Sequence, residues 1–285
     1  MSNAFYAPGP QRAAKVGDLF AAVARRYDFI NDLQSFGLHR RWKRLAAQLA
    51  SVRPGDRALD VCCGTGDLAF ALAASGADVV GLDFSEAMLA VAKAKVQNQQ
   101  SRAIAKSNFL KGSDTLPGVV ANQQVGPTVS EISFGNQANV HRPPSTVPNP
   151  QFLHGDALRV PFPDASFEIV TVGYGLRNLV SWEAGLSEMT RVAKPGGRLV
   201  VLDFGKPDCV FLRTVYFTYL KLVVPLLGLI FCHNAGAYAY ILESLKRYPA
   251  QRAVEAKMRE LGLTNVRVVN LLGGAMSINL GQKTE

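Results

Sequence analysis

The chain is poor in groups that hold metals or disulfides. Among 285 residues there are four cysteines and four histidines. The cysteines stand at 62, 63, 209 and 232, with no pair at zinc-ligand spacing. A reduced set with no metal site is therefore expected. Cys62 and Cys63 are neighbours on an expected strand, so their side chains face opposite ways and no disulfide joins them. Acids are in the minority: 22 Asp and Glu against 31 Lys and Arg, a net charge of +9. Residues 1–57 hold ten of the basic residues against four Asp, which is +6 of that charge. A basic face suits nucleic acid or an anionic membrane surface; a solvated helix face is the plainer reading for any single charge. No apolar run opens the chain, so no signal peptide is expected, nor a clear transit peptide. Residues 97–150 lack a sustained hydrophobic period and read as a flexible insertion. Leu222 to Leu242 carries no charge at all. It nearly has the length of a bilayer span, but Pro225, Gly228, His233, Asn234 and Gly236 interrupt it. An apolar helical cover over a pocket, residues 209–248, is the preferred reading.

What is present centres on Ala58-Leu-Asp60-Val-Cys-Cys-Gly64-Thr65-Gly66-Asp67. It reads as a buried strand, a glycine turn and a helix start. Gly64 and Gly66 permit positive φ and let a ligand approach bare backbone. A second strand ends at Asp83, 17 residues after Gly66, the place from which an acid reaches ribose hydroxyls in a doubly wound α/β unit. A dinucleotide loop would carry a third glycine, and Ala69 stands there instead. Asp60 and Asp67 flank the turn. Paired carboxylates would repel a diphosphate and suit a cation, so a ligand with a ribose, an ammonium and no phosphate fits: S-adenosylmethionine. The pattern resembles the first motif of class I methyltransferases, with Cys62 where many such enzymes carry a glycine.

In chain order, the spacing of Val16, Leu19, Phe20, Val23 and Tyr27 predicts a helix over about 13–27. Residues 27–38 mix aromatic and polar groups without a period and read as a loop, with a helix from about 39 to 50. Together, residues 1–57 form a helical cap and a plausible lid. Strand 58–62, helix 67–75, strand 78–83 and helix 86–96 follow. After the insertion come strands at 151–157, 167–172 and 198–204, with a helix over 182–192. After a helix at 249–261, Val266–Asn270 and Ala275–Leu280 close the domain (58–281) as a hairpin. The expected fold is a Rossmann-like class I methyltransferase, a seven-stranded, mostly parallel α/β sheet with an antiparallel C-terminal hairpin. Ligand loops then lie at the carboxyl ends of the strands, where Cys63–Asp67, Asp83, Asp156-Ala157 and Gly173–Arg177 converge.

These residues resemble the ubiquinone/menaquinone C-methyltransferase family. Tyr27-Asp-x3-Asp32-x3-Phe36-Gly-x-His39-Arg-x-Trp42-Lys matches its N-terminal signature. Gly175-Leu-Arg-Asn178 with Arg191-Val-x-Lys-Pro-Gly-Gly197 matches the second. The likeness covers residues 16–96 and 151–281. The stretches 60–70 and 171–178, Val223-Val-Pro225, and Tyr238-x-Tyr240-x3-Ser244-x3-Tyr248-Pro249 are similar to the plant and cyanobacterial branch. That branch methylates 2-phytyl-1,4-naphthoquinone precursors of phylloquinone; demethylmenaquinol and 2-polyprenyl-6-methoxy-1,4-benzoquinol are the alternative substrates within the family. The resemblance implies S-adenosylmethionine contacts at Asp60, Gly64, Thr65, Gly66, Asp83, Phe84, Asp156, Ala157 and Gly173. It also implies a prenylated quinol partner, a membrane surface, and a chloroplast location for a plant chain or cytoplasm and membranes for a cyanobacterial one. A second copy of the chain is left open as a partner.

A naphthoquinone ring is electron-poor, so the reduced quinol should accept the methyl. Removing a phenolic proton raises carbanion character at the free ring carbon, and no metal is needed. The candidates to hold or deprotonate the hydroxyl are Arg177, Tyr174, His39 and Tyr27, with Arg177 first. An arginine is a poor base and would instead stabilise a phenolate or act through water. Three rival readings are a nucleic-acid methyltransferase, a binding protein that keeps the fold, and a dehydrogenase. Against the first, no Asn/Asp-Pro-Pro-aromatic motif follows the fourth strand; the loop acids speak against the last.

Overall fold

The computed structural model describes residues 11–112, 148–232 and 235–285. Most of the expected insertion, residues 113–147, lies outside them, as do the side chains of Tyr238 and Tyr240. Three helices open the chain: α1 (Gln11–Val23), α2 (Tyr27–Ser35) and α3 (Leu38–Leu49). The α/β alternation follows as β1 (Arg57–Val61), α4 (Asp67–Ala74), β2 (Asp78–Asp83), α5 (Glu86–Gly112), β3 (Gln151–His154), β4 (Phe167–Gly173), α6 (Trp182–Val192) and β5 (Ala193–Phe204). Helices α7 (Val210–Cys232), α8 (Ala235–Arg247) and α9 (Gln251–Glu260) precede the hairpin β6 (Leu263–Leu271) and β7 (Met276–Lys283).

The seven strands form one sheet in the order β3-β2-β1-β4-β5-β7-β6. Strands β1 to β5 are mutually parallel, and β7 runs antiparallel between β5 and β6. The class I methyltransferase sheet expected above is thus the observed one. Strand residues alternate between two cores, as a period of two requires. Leu59, Val61, Val170, Val172, Leu199 and Val201 face one side. Ala58, Ile169, Val200 and Leu202 face the other, under α3 and α4. No helix among the described residues is long and apolar enough to cross a membrane.

Two expected boundaries are corrected. Residues 27–35, read as a loop, are helical. The inward face of α2 is Tyr27, Ile30, Asn31 and Gln34, which line a cavity. That face keeps helical spacing, but half of it is polar, so no hydrophobic period shows. Helix α5 also runs past residue 96 to Gly112. Residues 97–102 are exposed there. Their Gln and Arg carry the helix by propensity without an apolar face to mark it.

The turns after β1 and β4 approach each other closely. Cys62 adopts φ +54°, a left-handed conformation costly for a side chain. A Cβ on Gly175 would stand 2.3 Å from the Cβ of Cys62. Gly175→Ala is therefore expected to lose about 2–4 kcal/mol in urea denaturation. Adding Cys62→Gly should recover part of that loss, because it removes both the collision and the left-handed strain; no recovery would show that the two turns are independent.

Candidate active site

The chain passes from β1 to β2 and β3 on one side of the sheet, then returns to β4 on the other. The crevice at the carboxyl ends of β1 and β4 is where an open α/β sheet receives a ligand. A cavity of about 170 Å³ lies there. Cys62 and Gly64 border it after β1, Asp83, Phe84 and Ser85 after β2, Asp156 and Ala157 after β3, and Gly173 and Tyr174 after β4. Helix α1 roofs it with Val16, Gly17 and Phe20. The Asp83 carboxylate accepts the N–H groups of Gly64 and Ser85, both at 2.8 Å. Burial raises its pKa against those bonds. Phe84 is half exposed and tilts against His154 with centroids 5.8 Å apart. A Cβ at Gly64 would meet nothing within 4 Å, so the backbone there is open to a ligand. Asp83 and Asp156 line this cavity, and no Lys, Arg or His does so among the described residues. A cation is favoured there, and a diphosphate would find no counter-charge.

Asp60, Thr65, Gly66 and Asp67 do not line the cavity, which corrects the reading of the loop acids. Asp60 sits on the sheet face under α4, fully buried. Its Oδ1 accepts the Thr171 hydroxyl at 2.7 Å, and its Oδ2 has no partner among the described residues. Burial pushes its pKa up to about 7. The Asp67 carboxylate is bound by Lys43 at 2.9 Å and Lys95 at 2.7 Å. Burial would raise its pKa, but the two ammonium groups win and hold it well below the carboxylate range. The Thr65 hydroxyl donates to Asp28 at 2.6 Å, and Lys95 also pairs with Asp28 at 2.7 Å. A Cβ at Gly66 would lie 2.6 Å from the Phe152 ring, so that glycine serves packing.

A second, mostly apolar cavity of about 250 Å³ lies beyond Phe20, Tyr27 and Tyr174, the three residues that border both. Helices α1, α2, α3, α7 and α8 enclose it. Tyr174 holds φ +63°, and burial drives its phenol pKa far up. Arg177 also lines it. The guanidinium donates to the Tyr174 carbonyl at 2.6 Å, lies 3.6 Å from Asp203 and stacks 4.6 Å from the Phe204 ring. His39 lines it with Nε2 2.8 Å from Asp32. Tyr27, Tyr174, His39 and Arg177, predicted from scattered positions, therefore meet in one chamber. Buried polar side-chain atoms that lack a partner among the described residues also gather here: Asn31 Nδ2, Gln34 Nε2, His39 Nδ1, Tyr174 Oη and Tyr216 Oη. Buried polar groups are ordinarily satisfied, so five in one apolar chamber mark a place for a ligand with a few polar atoms on an apolar body.

The chain matches the model of the ubiE/COQ5 methyltransferase family over residues 10–135 and 136–283. It belongs to that family. A ubiquinone/menaquinone biosynthesis C-methyltransferase of Ectopseudomonas mendocina is 36% identical over 97% of this chain and 91% of that one. A demethylmenaquinone methyltransferase of Desulfitobacterium hafniense is 34% identical over 96% and 92%. Among solved structures, S-adenosylmethionine-dependent methyltransferases of Aquifex aeolicus and Thermotoga maritima share the fold. Their TM-scores are both 0.52, at 15% and 17% identity over 90% and 93% of this chain and 97% and 100% of theirs. The protein is thus a C-methyltransferase with S-adenosylmethionine as co-substrate. The acid-lined cavity fits that molecule: two carboxylates, an aromatic edge, bare glycine backbone and no cationic side chain.

Asn31, Gln34 and Tyr216 line the chamber and Asp32 holds His39 there, and the sequence reading named none of them as a candidate. The first two carried a signal, since they sit on the same helical face as Tyr27. Asp60 generates a pH-dependent cost. Its native pKa of about 7 exceeds the ordinary 3.8, so the native state binds the proton more tightly and stability falls as pH rises between those values. Asp60→Asn cannot titrate. Relative to wild type, ligand-free Asp60→Asn should gain a few kcal/mol at pH 8 compared with pH 4 in thermal or urea unfolding, as expected from ~1.4 kcal/mol per pKa unit. An unchanged difference would show that Asp60 is ionised in the native state throughout.

Proposed function

We propose that the chain methylates a free ring carbon of a prenylated 1,4-naphthoquinol, with 2-phytyl-1,4-naphthoquinol as the preferred substrate. The observation that carries this reading is the apolar chamber with its five unpartnered polar atoms, set directly against the acid-lined cavity. A quinol has two hydroxyls on an apolar ring and a long apolar tail, and it matches both features. Menaquinone-type relatives support demethylmenaquinol as the second reading, which shares the ring and differs in the tail.

Asp83 takes the ribose hydroxyls, Phe84, Asp156 and Ala157 hold the adenine side, and the backbone at Gly64 and Gly173 makes room for the amino-acid part. When bound, S-adenosylmethionine supplies a methyl on a sulfonium. Tyr27, Tyr174 and Phe20 form the wall at which the two compartments meet, so they set the approach of ring carbon to methyl. Arg177 brings positive charge to the quinol side and pins the Tyr174 carbonyl, which suits a phenolate oxygen forming nearby. The purified protein, given S-adenosylmethionine and reduced 2-phytyl-1,4-naphthoquinone, is expected to yield phylloquinol by mass spectrometry, faster than it methylates demethylmenaquinol or a methoxybenzoquinol. No product from any of the three quinols would overturn the reading. Arg177→Ala should lower kcat on the order of a hundredfold and leave S-adenosylhomocysteine affinity within a few-fold; unchanged turnover would remove Arg177 from the chemistry.

The same reading places the protein at a membrane surface as a peripheral enzyme. Two bulky residues at the chamber rim, Phe36 and Leu272, are exposed and hold left-handed φ of 50° and 47°. Strain of that kind on exposed apolar side chains points to a use. Helix α7 adds exposed Val210, Phe211, Val215, Leu222 and Leu226. Two basic residues are exposed near these groups, Arg41 on α3 and Lys221 on α7. The protein should sediment with anionic liposomes at low salt and release at high salt, and Phe36→Ser with Leu272→Ser should weaken sedimentation severalfold. Equal binding to neutral vesicles at all salt concentrations would contradict this.

A further inference from the structure

We propose that Asp32 and His39 form a proton relay in the quinol chamber: His39 Nδ1 takes the proton of the substrate ring hydroxyl, and Asp32 on Nε2 positions the imidazole. The assignment rests on the quinol reading above and gives its chemistry a base.

The geometry begins at the corner between α2 and α3. Phe36 and Gly37 both adopt left-handed φ, 50° and 72°, and turn the chain so that α3 folds back on α2. His39 then meets Asp32 across the corner at 2.8 Å. Arg40 grips the same carboxylate with two hydrogen bonds, Nε to Oδ1 at 2.6 Å and Nη2 to Oδ2 at 2.7 Å. That bidentate hold fixes the carboxylate plane, and the carboxylate fixes the imidazole. Because a carboxylate accepts, Nε2 carries the hydrogen and Nδ1 carries a lone pair. His39 is 3% exposed, it lines the chamber, and its Nδ1 has no partner among the described residues.

The other chamber groups are unsuited to the task. Burial raises the phenol pKa values of Tyr174, Tyr216 and Tyr219, so they are protonated at neutral pH. A guanidinium is too poor a base to take the proton. Burial, then Lys43, lowers the pKa of His39, while Asp32 and Asp67 act the other way. The imidazole is therefore a neutral base at pH 7, backed by a carboxylate that steadies the charge once it forms. The groups that face it are Asp32 and Arg40 at the corner, Lys43 on α3 and Asp67 on α4, with Tyr27, Tyr174, Arg177, Tyr216 and Tyr219 around the chamber.

The step balances without an oxidant or reductant. The hydroxyl proton passes to Nδ1, and the phenolate electron pair moves through the ring to the carbon that accepts the methyl. The electrons of the broken S–CH3 bond stay on sulfur. The resulting dienone loses its ring-carbon proton to solvent as the imidazolium returns a proton to the oxygen. The net products are the methylated quinol, the thioether and one proton.

His39→Gln is expected to lower kcat on the order of 10²–10³-fold, with KM for the quinol and affinity for S-adenosylhomocysteine within about threefold. The acidic limb of the kcat–pH profile should vanish with it. Asp32→Asn should lower kcat at least tenfold and move that limb to lower pH, because the imidazolium loses its counter-charge. Where His39→Gln does not fold, Asp32→Asn carries the kinetic test. A readout free of turnover is ¹⁵N NMR of histidine-labelled protein, with the His39 signals identified by their loss in His39→Gln or their shift in Asp32→Asn. At pH 7 Nδ1 should appear unprotonated and Nε2 protonated. Turnover of His39→Gln within threefold of wild type, an acidic limb unmoved in Asp32→Asn, or a proton on Nδ1 would each overturn the relay. Wild-type protein that methylates no quinol would instead defeat the substrate assignment, and the NMR result would still decide the state of the dyad.

Discussion

The site depends on one ion-pair network that ties the N-terminal helices to the glycine turn. Asp28 on α2 accepts the Thr65 hydroxyl and pairs with Lys95 on α5. Lys95 bridges to Asp67 at the start of α4, and Asp67 pairs with Lys43 on α3. Four helices and the turn are thereby held in one arrangement. Lys43 is buried and the other three groups are partly buried, so removing Lys43 or Asp67 leaves a poorly solvated charge and costs on the order of 2 kcal/mol. Asp67 at the first turn of α4 also meets the positive end of that helix. The consequence for function is positional. Tyr27 begins α2 and His39 lies in the first turn of α3, and the network holds both helices against the glycine turn.

Two compartments of opposite character share a wall because of that placement. On one side, Asp83 and Asp156 stand without a basic neighbour among the lining residues, which favours a positively charged nucleoside. On the other, apolar side chains from α1, α2, α7 and α8 surround a few polar atoms that wait for a partner. Tyr174 faces both. Its left-handed backbone is held by its N–H to Leu202 at 2.7 Å and by Arg177 and Asn178 on its carbonyl. The strain at this residue is thus maintained by its surroundings, as is common where a side chain must be aimed at a reacting centre. Methyl transfer needs an in-line approach, and the aromatic residues Phe20, Tyr27 and Tyr174 stand at the boundary that such an approach would cross.

The sheet was legible because strand periodicity and glycine punctuation are local signals. The rule that ligands meet the carboxyl ends of parallel strands pointed to Asp83, Asp156 and Ala157, and these line the cavity found there, together with Phe84, which only the family resemblance had named. Asp60 and Asp67 were misread because proximity to a turn does not tell which face a side chain takes. Asp60 shares the face of Ala58, under α4, and Asp67 is neutralised by lysines 24 and 28 positions away. Such distant pairings leave no mark in a local window. Helix α2 was invisible for a different reason. Its inward face lines a cavity rather than filling a core, and Asn31 and Gln34 break the apolar period that would announce it. The acids that line the cavity, Asp83 and Asp156, come from the ends of other strands.

The most direct measurement is a crystal structure with S-adenosylhomocysteine and a prenylated naphthoquinone bound together. The expected result places the thioether in the acid-lined cavity and the quinone ring beyond Tyr27 and Tyr174, with a ring carbon facing the sulfur and the Asp28–Thr65 and Lys95–Asp67 contacts intact. A ring bound outside the chamber, or a productive complex in which α2 has left the glycine turn, would contradict the account.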